Sequence, residues 1–234
     1  MGQNKLWRFE QIKTFPNVLQ YPENMAGNWN KHFGNDNPIT LELACGKGDY
    51  AVNMALMFPD RNFIGVDIKG NRMFIGARRS LKDGITNTAF LRAQIAQLLN
   101  YFAPGEVKEI WITFPDPFLR DGKAKNRLTH PKFLKLYQQV LPKGATINLK
   151  TDSTELYEFT KEVIAEQGCI VHQDISNVYA NGEPGGLLSI KTFYEQGHLA
   201  DGRIIKFISF TLPEHEIKLP PKKQKSETAA EGGH

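Results

Sequence analysis

The sequence predicts an α/β protein with a doubly wound, mostly parallel sheet. From residue 39 onward, short apolar runs alternate with segments of helical period, which is typical of a sheet covered by helices on both faces. Glycines directly follow the first apolar run, as expected where a parallel strand turns into its helix. The 234 residues are 41% hydrophobic and 23% charged, with a net charge of +4. This average composition excludes a disordered, collagen-like or coiled-coil chain.

The individual elements follow from the same periods. Residues 49–58 and 131–141 each place apolar side chains on one helical face, and Ser153 is a candidate N-cap for a third helix. Residues 176–201 are rich in Gly, Asn and Glu, which predicts a long loop before the last strand. Apolar runs predict strands at 39–44, 62–67, 88–93, 107–114, 145–150 and 202–212.

We expect one main domain with an appendage at each end. The main domain is predicted over 39–214, after an irregular aromatic arm over 1–38 and before a disordered tail over 215–234. The sequence shows neither a membrane-spanning stretch nor a signal-peptide pattern, which predicts a cytoplasmic protein. Cys45 and Cys169 are too isolated for a disulfide framework, and the histidines lack ligand spacing, so no metal is expected.

The first strand leads into a glycine loop that predicts a ligand site. Gly46 and Gly48 lie where backbone N–H groups at a helix N-terminus meet a polar ligand. Asp67 ends the second strand, where an acidic side chain accepts hydrogen bonds from both hydroxyls of a ribose. Glu42 lies inside an otherwise apolar strand, where a carboxylate needs a partner such as a ligand ammonium. A ligand with a ribose and an amino group is therefore expected, and a nicotinamide dinucleotide is the alternative.

A further carboxylate and two basic runs follow strand ends. Pro115 and Pro117 restrict the backbone around Asp116, at the sheet edge where open α/β folds bind ligands. The run after Asp116 comprises Arg120, Lys123, Lys125, Arg127, Lys132 and Lys135. The other run comprises Lys69, Arg72, Arg78, Arg79 and Lys82. The run beside Asp116 predicts salt-sensitive contacts with nucleic-acid phosphates. For the run at 69–82 a solvated face is the favoured interpretation, and phosphate contact is the alternative.

These motifs, taken in order, resemble the bacterial tRNA (guanine-N7-)-methyltransferase family over about residues 39–210. The resemblance is carried by Glu42 with its glycine loop, Asp67, the Phe-Pro-Asp-Pro segment at 114–117, Lys150-Thr151-Asp152 and Thr192-Phe193-Tyr194-Glu195. It implies the class I methyltransferase fold, a Rossmann-like sheet of seven strands whose last strand is antiparallel. It also implies S-adenosylmethionine as cofactor, tRNA as partner and guanosine 46 of the variable loop as target.

The resemblance assigns roles to single residues. Glu42, Asp67 and Asp116 match cofactor-contacting positions. Gly46 and Gly48 are predicted to contact the cofactor from their place in the glycine loop. Asp116 also matches the active-site position, so it is the predicted catalytic residue. Gln94 stands where the family usually has Asp, and its amide carbonyl still accepts a hydrogen bond from an adenine amine. The positions that match substrate contacts are Arg120, Asp152, Thr192, Phe193, Tyr194 and Glu195. Lys123 and Lys125 are predicted to contact the substrate because they belong to the basic run after Asp116.

Two other functions are compatible with parts of the sequence. A nicotinamide-dependent oxidoreductase would use the same glycine loop and Asp67. A methyltransferase-like RNA-binding module without turnover would account for Gln94 and for a basic segment after Asp116 that is thinner than the family's. Phe118 and Arg120 also depart from the family pattern, and they bear on RNA contact rather than on the chemistry. The methyltransferase needs no general base, because guanine N7 carries a lone pair and no proton. Asp116 is therefore expected to orient a ligand rather than to abstract a proton.

Overall fold

The computed structural model describes residues 2–221 and contains one sheet of eight strands. Strands β2 to β5 are nearly or fully buried, which is usual for parallel strands with helices on both faces. The strands are β1 Val18–Gln20, β2 Ile39–Leu43, β3 Asn62–Asp67, β4 Thr88–Arg92, β5 Val107–Thr113, β6 Thr146–Thr151, β7 Ile170–Ile175 and β8 Lys206–Thr211.

The strand order is β1-β4-β3-β2-β5-β6-β8-β7. Strand β8 runs antiparallel to both of its neighbours, whereas the pairs from β1 to β6 are all parallel. The chain crosses over between β2 and its two neighbours β3 and β5, which makes this the switch point of the sheet. The predicted doubly wound sheet and its antiparallel last strand are thus confirmed, with eight strands in place of seven.

The sequence did not predict strands β1 and β7, and each omission has a physical reason. Strand β1 has only three residues and lies within the segment that was predicted to be irregular. Strand β7 is an edge strand whose side chains are mostly exposed, so its sequence shows no buried apolar run. Both strands lie at the edges of the sheet, where a strand forms hydrogen bonds with one neighbouring strand only. Such a strand does not need the continuous apolar sequence of a buried central strand.

Seven α-helices connect these strands over the described residues. Helices α3, α5 and α6 lie where the sequence predicted them, and the Ser153 hydroxyl accepts a hydrogen bond from the Leu156 N–H at the start of α6. The helices are α1 Gly2–Gln11, α2 Trp29–Phe33, α3 Asp49–Met57, α4 Gly70–Lys82, α5 Pro131–Val140, α6 Thr154–Glu166 and α7 Phe193–Ala200.

The terminal and loop predictions need correction. The segment 2–38 is not irregular, because it contains α1, β1 and α2, and the fully buried Trp29 donates its indole N–H to the Tyr101 carbonyl at 2.7 Å. The segment 176–201 contains α7 rather than a continuous loop. In the predicted tail, Ile217 is buried against the core, whereas 222–234 lie outside the described residues.

The core lies on both faces of the sheet. On one face, Leu41 and Ile110 pack with Trp29 and α5, and on the other face Tyr50, Trp111 and Phe207 form an aromatic cluster. Full burial of each such large side chain contributes roughly 1.5–3 kcal/mol. Over residues 2–221, none of the helices has the length and apolarity that crossing a bilayer requires.

Candidate active site

A cleft of about 690 Å³ opens at the carboxyl ends of the central strands. It lies at the switch point, where α/β sheets bind their ligands. The wall includes residues from the loops after β2, β3, β4, β5 and β6, and also from α7 and the turn after it. It thus collects positions that are up to 159 residues apart, from Ala44 to Arg203. Five residues from the sequence prediction line this cleft, namely Asp67, Gln94, Asp116, Asp152 and Tyr194.

The glycine loop at 46–48 is held against the end of β3 by Asp67. The Gly46 N–H donates to Asp67 Oδ2 at 2.9 Å, and the Lys69 N–H donates to Oδ1 at 2.9 Å. Gly48 has a φ of +72°, and a Cβ there would approach the Phe90 ring to 2.3 Å, so the loop needs glycine for both reasons. Each Asp67 oxygen keeps a further acceptor site, because a carboxylate oxygen has two lone pairs.

Glu42 lies beneath this loop and is 1% exposed. Its Oε2 accepts from the Ala51 N–H at 2.8 Å, and its Oε1 accepts from the Thr113 hydroxyl at 3.0 Å. Burial raises the pKa of the Glu42 carboxyl to about 8. The side chain therefore links β2 to α3 and β5, and a cationic ligand above it would lower this pKa again.

Asp116 is exposed at the end of β5 and is held by an unusual backbone. Phe114 and Phe118 have φ values of +49° and +44°, a left-handed conformation that is costly for aromatic residues. Asp116 Oδ1 accepts from the Phe118 N–H at 3.0 Å, and no other hydrogen bond to this carboxylate forms within residues 2–221. Strain and proline rigidity thus present a carboxylate to the cleft with one oxygen free for a ligand.

Asp152 follows β6 and faces a guanidinium and an imidazole that the sequence analysis missed. Arg203 Nη1 lies 2.7 Å from Asp152 Oδ2, and His198 Nε2 lies 3.6 Å from Oδ1. Both side chains line the cleft. They come from α7 and the turn after it, a segment whose polar composition gave no signal beyond a loop.

The Thr192-Phe193-Tyr194-Glu195 motif divides between the interior and the surface. The Thr192 hydroxyl accepts from the Glu195 N–H at 3.0 Å and caps α7. Glu195 is fully buried, with its Oε1 at 2.6 Å from Lys150 Nζ and accepting from the Tyr179 hydroxyl at 2.7 Å. Thr192 and Glu195 therefore do not line the cleft, in contrast to their predicted contact with substrate.

The two aromatic residues of this motif point outward. Lys47 Nζ lies 3.0 Å from the Phe193 ring centroid, and the Phe193 N–H donates to Asp49 Oδ2 at 2.8 Å. Arg72 lies over the Tyr194 ring at 5.5 Å. The start of α7 is thereby attached to the glycine loop, with Tyr194 in the cleft wall.

The basic run after Asp116 is partly exposed and partly buried. Arg120, Lys123 and Lys125 lie on or beside a short 3-10 helix, Asp121–Asn126, outside the cleft wall. Arg127 is buried and donates to the Pro117 carbonyl at 2.9 Å, so it supports the Asp116 turn instead of facing solvent. Three exposed cations therefore stand next to the mouth of the cleft.

The sheet order, the glycine loop and the carboxylates at the switch point define a class I methyltransferase fold. A solved structure titled as the 16S rRNA methyltransferase KamB superposes with a TM-score of 0.61 at 16% identity, covering 80% of this chain and 93% of that one. A family profile described as a putative methyltransferase matches residues 36–207.

Two curated relatives named tRNA (guanine-N(7)-)-methyltransferase identify the family. The one from Bacteroides fragilis is 45% identical over 230 residues, covering 94% of this chain and 90% of its own. The one from Porphyromonas gingivalis is 47% identical over 219 residues, covering 88% and 89%. The chain belongs to the tRNA (guanine-N(7)-)-methyltransferase family, so the predicted family and class of enzyme are confirmed.

Proposed function

We propose that this protein transfers the methyl group of S-adenosylmethionine to N7 of a guanine in tRNA, at guanosine 46 of the variable loop. The observation that carries the proposal is the single cleft in which Asp67, Asp116 and Asp152 meet. The names of the relatives indicate the reaction. The cleft contains carboxylates that could bind the cofactor and the guanine. Because tRNA is the substrate, the reaction belongs to the cytoplasm.

The residues of the cleft fit the proposed cofactor. Asp67 keeps acceptor sites for ribose hydroxyls, and Gln94 presents an amide carbonyl at the end of β4 for an adenine amine. When bound, S-adenosylmethionine supplies an electrophilic methyl group on a sulfonium. The Asp67 carboxylate places negative charge next to the glycine loop, and a cationic ligand bound there would also favour ionisation of the buried Glu42.

Positioning is the main task of this chain's residues, because N7 attacks with its own lone pair and no proton is removed. Asp116 accepts hydrogen bonds from the guanine N1–H and exocyclic amine and so orients the ring for in-line attack. The guanine ring becomes cationic as the N7–methyl bond forms. The carboxylates of Asp116 and Asp152 stabilise that developing charge within the cleft.

The target base must reach the cleft from a folded RNA. Local unstacking of the guanine exposes its edge to Asp116 and Asp152, as is usual for enzymes that act on a single base. Arg120, Lys123 and Lys125 stand beside the cleft mouth, where they contact phosphates next to the target. Tyr194 lines the cleft from the α7 side, and the exposed Phe193 precedes it at the start of α7.

The test is methyl transfer from labelled S-adenosylmethionine to an unmodified tRNA transcript, followed by reduction and aniline cleavage at N7-methylguanine. We expect cleavage at the variable loop, and none in a matched transcript with adenine at position 46. Label incorporated at another nucleotide would contradict the proposed target. A wild-type protein that binds S-adenosylmethionine but labels no tRNA would contradict the proposed reaction.

A further inference from the structure

We propose that the outer face of α1 and α4 is a second contact surface for the substrate RNA, outside the methyl-transfer cleft. This surface, the α1/α4 face, consists of Trp7, Arg8, Arg72, Arg78 and Lys82. It receives the strand that flanks the target guanine. The inference rests on the proposed function, since RNA is the substrate class.

Helix α1 packs on α4 through aromatic rings and leaves a groove of about 450 Å³ between them. Trp7 meets the Phe74 ring edge-on at 5.3 Å, and Phe15 stacks on the same ring at 5.6 Å. Trp7 is nevertheless 50% exposed. An exposed indole beside a groove offers a stacking platform for an unpaired base of any sequence.

The cations around this groove have no acidic partners among residues 2–221. Arg8 and Arg78 lie over the Phe74 ring, with Cζ at 5.6 Å and 6.0 Å from its centroid. Stacked guanidinium groups keep their N–H edges for an anion, and this suits phosphate recognition. Among the side chains that the structure describes, no carboxylate pairs with Arg8, Arg72, Arg78 or Lys82. A polyanion would complete this surface.

The α1/α4 face continues into the cleft. Arg72 belongs to α4 and also lines the cleft wall. Burial lowers the pKa of Lys47, and although Asp49 opposes this, the nearby Arg8 and Arg72 lower it further. Cations of α1, α4 and the glycine loop therefore share one rim. The 13 residues of α4 span about 20 Å, a length over which a strand with one phosphate per ~3.4 Å passes several phosphates.

The charge component is tested with the double variant Arg78→Glu/Lys82→Glu. We expect the Kd for tRNA to rise at least about tenfold, and the slope of log Kd against log salt to become shallower by about 1.5, because two phosphate contacts are lost. The Kd for S-adenosylmethionine should not change. The matched control is Lys31→Glu/Lys108→Glu, which reverses two exposed lysines near the amino ends of the strands.

The stacking component is tested with Trp7→Ala. We expect about tenfold weaker tRNA binding with an unchanged salt slope, since a stacked base contributes without a phosphate contact. Leu6→Ala is the control, because Leu6 is 70% exposed on the same helix and does not line the groove. Equal effects of the two alanine variants would overturn the stacking platform.

Failure of this inference is distinguishable from failure of the proposed function. If wild-type protein methylates tRNA and the charge variant behaves like its control, the α1/α4 face is not an RNA contact. If wild-type protein labels no tRNA, the proposed function itself fails. Exposed Leu6 and Trp7 beside cations would also suit an anionic lipid surface. Vesicle binding that the charge reversal abolishes, with an unchanged Kd for tRNA, would overturn the assignment to RNA.

Discussion

Asp116 in the cleft and Glu195 in the interior occupy opposite environments although they belong to the same set of motifs. Asp116 is exposed and accepts one backbone hydrogen bond, whereas Glu195 is fully buried between Lys150 and Tyr179. Glu42 resembles Glu195, since it lies inside the fold with two protein donors. The comparison teaches that the backbone leaves some motif acids open to the cleft and places others between protein partners, where they hold the scaffold together.

The largest expected effect is on stability, from Glu195→Ala. Removing one partner of a buried ion pair leaves Lys150 uncompensated, and we expect the free energy of unfolding to fall by about 3–5 kcal/mol. Urea unfolding monitored by circular dichroism measures this loss. The double variant Lys150→Met/Glu195→Leu removes both charges and should recover most of the stability. A single variant as stable as the wild type would move Glu195 into the group of ligand-contacting acids.

In contrast to Glu195→Ala, Asp116→Ala should reduce activity and leave stability unchanged. We expect kcat/KM for tRNA to fall at least about 100-fold, or about 2.7 kcal/mol, because a misplaced reactive geometry costs that much. The Tm should stay at the wild-type value, since the side chain is exposed and anchors no other element. Asp60→Ala is the control, an exposed aspartate just before β3 at the amino end of the sheet. Near-normal turnover of Asp116→Ala would remove this residue from the reaction.

The buried Glu42 should make the free energy of unfolding depend on pH. Its folded pKa of about 8 lies above the usual 4.5, so the native state binds one proton more than the unfolded state between these values. The free energy of unfolding should therefore fall as pH rises through this window, by up to about 1.4 kcal/mol per pH unit. In Glu42→Gln the amide oxygen can accept from the Ala51 N–H while the amide N–H donates to the Thr113 hydroxyl, so both contacts persist. Because the amide does not titrate, this variant should lose the contribution to the slope. Identical pH profiles for the variant and the wild type would contradict the raised pKa.

The sequence predicted the central sheet well because β2 to β6 are buried on both faces and so carry continuous apolar runs. It also indicated the acids that follow strand ends, since parallel strands bring their carboxyl ends together. It could not reveal that Glu195 is buried. The burial of Glu195 depends on its ion pair with Lys150, which lies 45 residues earlier in the chain. A local sequence pattern does not predict such a distant pair. Arg203 was missed for the same reason, because its contact with Asp152 is made across the fold.

The smallest expected effect comes from Arg203, the cation that covers the cleft acid Asp152. A guanidinium presents a planar pair of N–H donors to a carboxylate, and so does the edge of guanine, so the two compete for Asp152. Arg203→Ala should lower the KM for tRNA by at most about fivefold, because exposed ion pairs are weak. The Tm should be nearly unchanged, since Arg203 is half exposed. Steady-state kinetics at fixed S-adenosylmethionine measures the change, and Arg203→Ala/Asp152→Asn should abolish the gain. A higher KM for the single variant would instead mean that Arg203 binds the RNA directly, and the pair with Asp152 would then support the substrate site rather than block it.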